Sequence, residues 1–179
     1  MPRIKSGVKV KDRGYKRIIG ELESFDGAYT KVGLMGTESP PDTEFTYPQI
    51  GAVHEYGARI PVTDAMRGWF AAQGYPLSPS TTEIVIPERS FVRAGVDENR
   101  RAIEAQIDEL HDAVLQQRMT ARQAIQQLGE WGATIIRNKA TRGPFTPNSG
   151  MTVARKGSSR PLRDTGRMVQ TITHEDHIP

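Results

Sequence analysis

The chain has 179 residues, 36% hydrophobic and only 7% aromatic, with 17 glycines and 12 prolines; this fits one domain with a modest core and extended appendages. It has no cysteine, which excludes disulfides, thiolate metal sites and thiol nucleophiles, and no apolar run nears the roughly 18–20 residues that cross a bilayer. The net charge of +3 conceals basic ends around an acidic middle, with +6 over residues 1–17, −8 over 18–136 and +7 over 137–167.

Residues 1–12 form an N-terminal arm. Ile4, Val8 and Val10 alternate there with Lys5, Lys9 and Lys11, a pattern that suits either an edge strand or a disordered leader. The start is basic but lacks the apolar segment of a signal peptide. From Arg13 to Phe25, Tyr15, Ile18, Ile19, Leu22 and Phe25 make one helical stripe, which Asp26-Gly27 ends. Ala28–Met35 reads as a strand rich in β-formers, and Gly36–Thr46 as a loop. A short helix fits Pro48–Tyr56, since proline is tolerated in a first turn, and Gly57 closes it.

Residues 58–82 form an excursion of loop and helix. Thr63-Asp64 starts a helix through Gln73, with Met66, Trp69 and Phe70 on one side. Glu83–Pro87 reads as a second strand. Val96, Ile103, Ile107, Leu110 and Val114 then mark the apolar seam of a long helix, capped at Asp97 or beginning as early as Phe91. After a break at Arg118-Met119, Thr120-Ala121-Arg122-Gln123 is a capping box opening a helix to about Thr141. Gly129 and Gly132 within it cost about 1 kcal/mol each relative to alanine, which implies a close backbone approach. Gly143-Pro144 stops the helix, and residues 143–160 read as a long basic loop. Asp164-Thr165-Gly166 leads into a short helix or turn and a last strand over Arg167–Glu175.

Catalytic chemistry finds little support. His54-Glu55 resembles the start of a zinc-protease helix, but the second histidine is replaced by Ala58. His111, His174 and His177 assemble no site from spacing alone, and His174 and His177 suit a solvated, frayed end. Walker loops, dinucleotide fingerprints and nucleophile elbows are missing, and Asp97-Glu98 and Asp108-Glu109 read as a solvated polar face. Neither an enzyme nor a cofactor or metal site is expected. Pro87-Glu88-Arg89-Ser90-Phe91-Val92-Arg93 reads from its residues as a strand-to-helix junction with Phe91 as a buried anchor and two exposed arginines. The basic ends favour head-to-tail contact between copies or contact with nucleic acid, or they are solvated tails.

Four motifs in order carry a resemblance. They are His54-Glu55-Tyr56-Gly57; Ile86 and Pro87 with Arg89, Phe91 and Arg93; Gly143-Pro144-Phe145 with Pro147; and Leu162 with Asp164-Thr165-Gly166 and Met168. Together they resemble the neck and tail-completion proteins of tailed bacteriophages, including Mu-type virion morphogenesis proteins and minor tail components. The resemblance spans residues 28–175 and carries nothing over for the excursion. It implies an α+β subunit, with a small antiparallel or mixed sheet on a long helical hairpin. It further implies a structural virion protein that forms a ring, a hexamer by match to the tail tube, at the head-proximal end of the tail. Its partners would be the tail tube or tail terminator, head-closure proteins and lumenal DNA, with no membrane. Such a protein is assembled in the host cytoplasm and resides in the virion. The expected interface residues are Arg89, Phe91, Arg93, Arg155, Lys156, Arg160, Arg163 and Arg167. The rival reading is a nucleic-acid-binding protein that uses its basic termini.

Overall fold

The computed structural model describes residues 12, 14–41, 43–162 and 166–179, without the side chains of Arg155 and Lys156. The arm expected over 1–12 thus lies outside the described residues except for Asp12. The fold is α+β, built on helix α6 (Ala121–Arg142). Thr120 and Gln123 form the expected capping box at its start, satisfying N–H groups that a first turn otherwise leaves open. Helix α1 (Tyr15–Glu23) contributes a further contact, with the Ala121 N–H donating to Glu21 Oε2 at 2.8 Å. A remote carboxylate thereby helps to fasten α1 to the hairpin.

Strands β1 (Tyr29–Leu34) and β4 (Ile172–His177) pair antiparallel, from Tyr29 opposite His177 to Leu34 opposite Ile172. This sheet lies directly on α6. A Cβ at Gly129 would strike the His174 ring and stand 2.6 Å from Thr30 Oγ1, and one at Gly132 would meet Val32 at 3.2 Å. The two glycines therefore permit the close approach that their cost implied. Helices α4 (Val92–Glu98) and α5 (Arg100–Leu115) pack along α6. Gln117 (φ 58) turns the chain between α5 and α6, where Arg118 N–H donates to Ala113 O and Gln117 N–H to Val114 O. That paired closure is the Schellman arrangement, here without its usual glycine.

The main core joins Tyr47, Phe91, Ala133, Ile136, Leu162, Met168 and Ile172, and a second cluster holds Leu110, Val114 and Ala124. Phe91 and Ile172 are fully enclosed.

Several expectations need correction. The long helix takes the earlier of its two expected starts, next to Phe91 and not at Asp97. It begins at Val92 and breaks at Asn99, whose side-chain amide donates to Gly95 O at 2.8 Å. The second strand does not extend the first sheet. As β3 (Glu83–Ile86) it pairs with β2 (Ala58–Pro61) in a separate two-stranded sheet, with α3 (Asp64–Ala72) between them in sequence. Thr63 does cap α3, accepting from the Met66 N–H. The basic loop 143–160 contains a helix, α7 (Gly150–Lys156), because the Ser149 hydroxyl accepts from the Thr152 N–H and Gly157 ends it in a left-handed turn. The short helix α8 (Arg167–Gln170) precedes β4. His174 and His177 do not fray. His174 Nδ1 lies 2.9 Å from Asp176 Oδ1, and the His177 ring stacks on Tyr29.

Candidate functional site

Three of the four motifs meet around the start of α4. Helix α2 (Tyr47–Tyr56) opens with a Thr46–Gln49 capping box and Pro48 in its first turn, and ends at Gly57. Gly57 has φ 71, and a Cβ there would stand 2.9 Å from Ile86 O and 3.0 Å from Glu88 N. Only glycine lets the two chain segments pass this closely. Pro87 follows the end of β3, and the Arg89 N–H then donates to His54 O at 2.7 Å. This places the last turn of α2 against the first turn of α4.

Phe91 stands at the N-cap of α4 and its side chain offers no acceptor. Glu55 takes over that role. Its Oε2 accepts from the Phe91 and Val92 N–H groups at 2.8 and 2.9 Å. Its Oε1 accepts from Ser90 Oγ, Arg93 N and Arg93 Nε at 2.7, 3.0 and 3.1 Å. Glu55 is only 5% exposed. Burial pushes its pKa up, but the hydrogen bonds from Val92, Arg93, Ser90 and Phe91 outweigh that and hold it below the ordinary carboxylate range. Arg93 completes this side. Its guanidinium donates to Glu88 at 2.7 Å and Glu55 O at 3.1 Å and lies over the Tyr56 ring at 4.9 Å.

Arg89 is also buried, 5% exposed, and burial pulls its pKa down. Its carbonyl and amide partners carry no charge. Nε donates to Thr146 O at 2.9 Å, and Nη2 to Pro147 O at 3.1 Å and Asn148 Oδ1 at 3.4 Å. Nη1 stands 3.4 Å from His54 Nδ1. A flat guanidinium with several donors suits this divergent set of acceptors, which an ammonium could not span. The Asn148 amide in turn donates to Arg160 O at 3.2 Å, linking the buried junction to the outer basic segment.

The expected interface residues thus divide. Arg89 and Phe91 are enclosed within the chain, so the two exposed arginines expected at this junction reduce to Arg93 alone, and an interface role for Arg89 and Phe91 is replaced by an internal one. Arg155 and Lys156 end α7, and Arg160 is exposed beyond it. Arg163 lies outside the described residues, with Asp164 and Thr165. Arg167 opens α8 and lines an open hollow of about 440 Å³ with Met35, Glu38 and Gln170.

The chemistry of this junction is positional. Every oxygen of Glu55 already accepts from donors of its own chain, so it is not poised to take a proton from a substrate. No group of three or more histidine, aspartate or glutamate side chains among the described residues is arranged to hold a metal ion. Sequence reasoning missed the joint role of Glu55 and Arg89. One signal was available: a helix start at Phe91 with no serine, threonine, aspartate or asparagine at its cap needs an acceptor from elsewhere. Comparison with protein-family models, curated proteins and solved structures found no match for this chain.

Proposed function

We propose that the chain is a structural virion protein of a tailed phage, a tail-completion or head–tail joining subunit that forms a ring, a hexamer, at the head-proximal end of the tail. One observation carries the reading: the scattered motifs behind the resemblance gather into one framework. Glu55 holds residues 90–93, Arg89 holds Thr146 and Pro147, and Phe91 shares a core with Phe145, Leu162 and Met168. Motifs used in this way specify a shape, as expected of a building block.

In this reading the helices and the β1–β4 sheet make the ring wall. The basic segment with Arg155, Lys156 and Arg160 faces neck or tail proteins, or DNA in the lumen. The place of action is the virion, after assembly in the host cytoplasm; among the described residues no helix is long and apolar enough to cross a membrane. Changing Arg155, Lys156 and Arg160 together to glutamate should leave folded protein but abolish joining of heads to tails, scored by electron microscopy and plaque titre. Normal infectious particles from that variant would remove the assignment. Normal particles together with duplex binding that weakens steeply as salt rises would install the nucleic-acid reading instead.

A further inference from the structure

The outer face of α5 is acidic and unpartnered. Leu110, Ala113 and Val114 are buried on its inner side, while Glu104, Asp108, Glu109 and Asp112 are all exposed. Residues 102–117 contain no lysine or arginine. Among the described residues, none of these carboxylates has a hydrogen-bond or ion-pair partner. Glu104, Asp108 and Asp112 recur at four-residue steps, which stacks like charges on successive turns and destabilises a helix. Asp112 also sits in the last turn, which has no basic residue and where the helix dipole is already negative. No described side chain offsets this repulsion by pairing.

Residues 1–11 carry the matching charge. Arg3, Lys5, Lys9 and Lys11 share that segment with no acidic residue, and all occupy odd-numbered positions, which an extended chain sets on one side. Lys5 and Lys9 are then about 13 Å apart, against about 12 Å from Glu104 to Asp112 along a helix. The root of the segment lies beside α5. Asp12 Oδ1 accepts from the Gly14 and Tyr15 N–H groups at 2.9 and 2.7 Å, which fixes it at the start of α1. A Cβ at Gly14 would strike the Gln117 side chain, just past the end of α5, and the Phe25 ring meets His111 of α5 at 5.0 Å. From that root, residues 1–11 can reach about 36 Å when extended, well beyond the roughly 20 Å from Gln117 to Glu104.

We infer that the outer face of α5 takes residues 1–11 of its own chain as a strap, with Lys9 against Asp112 and Lys5 against Glu104. The origin of the segment selects it over the chain's other basic stretch, since α7 does not pack broadly on α5. The tether makes docking intramolecular, so exposed ion pairs too weak to hold a free peptide suffice. Docked, the strap hides both rows of charge from other molecules. Salt releases it, because pairs this exposed are screened.

Carbodiimide coupling, which joins amines to touching carboxylates, tests this on isotope-labelled and unlabelled chains refolded together, read by mass spectrometry. The expected links run from Lys5, Lys9 or Lys11 to Glu104, Asp108 or Asp112, with the same isotope on both sides. Links of mixed isotope make the occupant a second copy's segment and overturn the inference, as do links to other acids only, or none. Glu104→Gln combined with Asp108→Asn and Asp112→Asn removes the stripe while easing its repulsion, and circular dichroism checks that the helices persist. Trypsin cleavage after Lys5 and Lys9 should then run about tenfold faster than in the parent, as the loss of three exposed pairs implies. High salt should bring the parent to the variant's rate. Unchanged cleavage in the folded variant overturns the inference. Ile4→Ser, Val8→Ser and Val10→Ser together should leave cleavage slow; cleavage as fast as in the acid-free variant shows the segment held elsewhere by its apolar row, which also overturns it.

Discussion

Replacing Glu55 by glutamine changes the junction by one atom and one charge. The carboxylate accepts five hydrogen bonds, two at Oε2 and three at Oε1. Glutamine retains one carbonyl oxygen, so its amide nitrogen must face either the Phe91 and Val92 N–H groups or the donors of Ser90 and Arg93. In each orientation at least two backbone or side-chain donors lose their acceptor in a largely water-free site. Each such loss costs about 1–3 kcal/mol, and the first turn of α4 also loses a favourable negative charge worth about 0.3–2 kcal/mol. A loss of about 3–5 kcal/mol follows, in line with breaking one side of a buried charged pair. For a chain of this size that lowers Tm by roughly 10 °C. Urea unfolding followed by circular dichroism should show a lower midpoint at unchanged slope. A loss below about 1 kcal/mol would refute the claim that Glu55 holds α4 in place.

The pH dependence has a definite sign. The folded-state pKa of Glu55 is depressed, so its contribution is complete above the unfolded value near about 4.3 and is lost as pH falls through the lower folded value. Glu55→Gln should therefore lose most relative to the parent at neutral pH and converge with it in acid, by urea midpoints at each pH. Arg89→Met strands the Thr146 and Pro147 carbonyls and should cost about 2–4 kcal/mol; Arg89→Lys should not rescue it, and amide exchange should quicken around residues 144–148 in both. Gly129→Ala forces a methyl onto His174 and Thr30 and should destabilise by about 1–3 kcal/mol. Gly20→Ala, in the exposed middle of α1 with nothing near its Cβ, should stabilise by about 0.5–1 kcal/mol, which thermal melts can resolve.

Features with local causes were legible. The Thr120–Gln123 box, the Thr63 cap and the apolar stripe of α6 all lie within a turn or two of what they determine. Gly129 and Gly132 announced a close neighbour, though not that β1 and β4 supply it. The β2 strand escaped notice because Arg59 and Pro61 look like loop and its partner lies beyond α3. Helix α7 was hidden by glycine and threonine of low helix propensity, with Ser149 as the cap that starts it. The junction was least visible. Glu55 finds its donors 35 to 38 residues away and Arg89 finds carbonyls 57 and 58 residues away, distances at which pattern and spacing carry no information about partners. The arginines of Pro87–Arg93 therefore looked alike, although one is enclosed and the other half exposed.

The long reach of those contacts has a kinetic consequence. Closing the Glu55 and Arg89 contacts requires large loops to be drawn in first, and such closure is slow to be rewarded. The α5–α6 hairpin, whose partners are near in sequence, is then the natural nucleus, and the junction latches late. Weakening the latch should accelerate unfolding while leaving the refolding limb of a chevron nearly unchanged. A subunit made this way reaches a persistent native state through its last step, and the lifetime of that state, rather than its rate of formation, is what Glu55 controls.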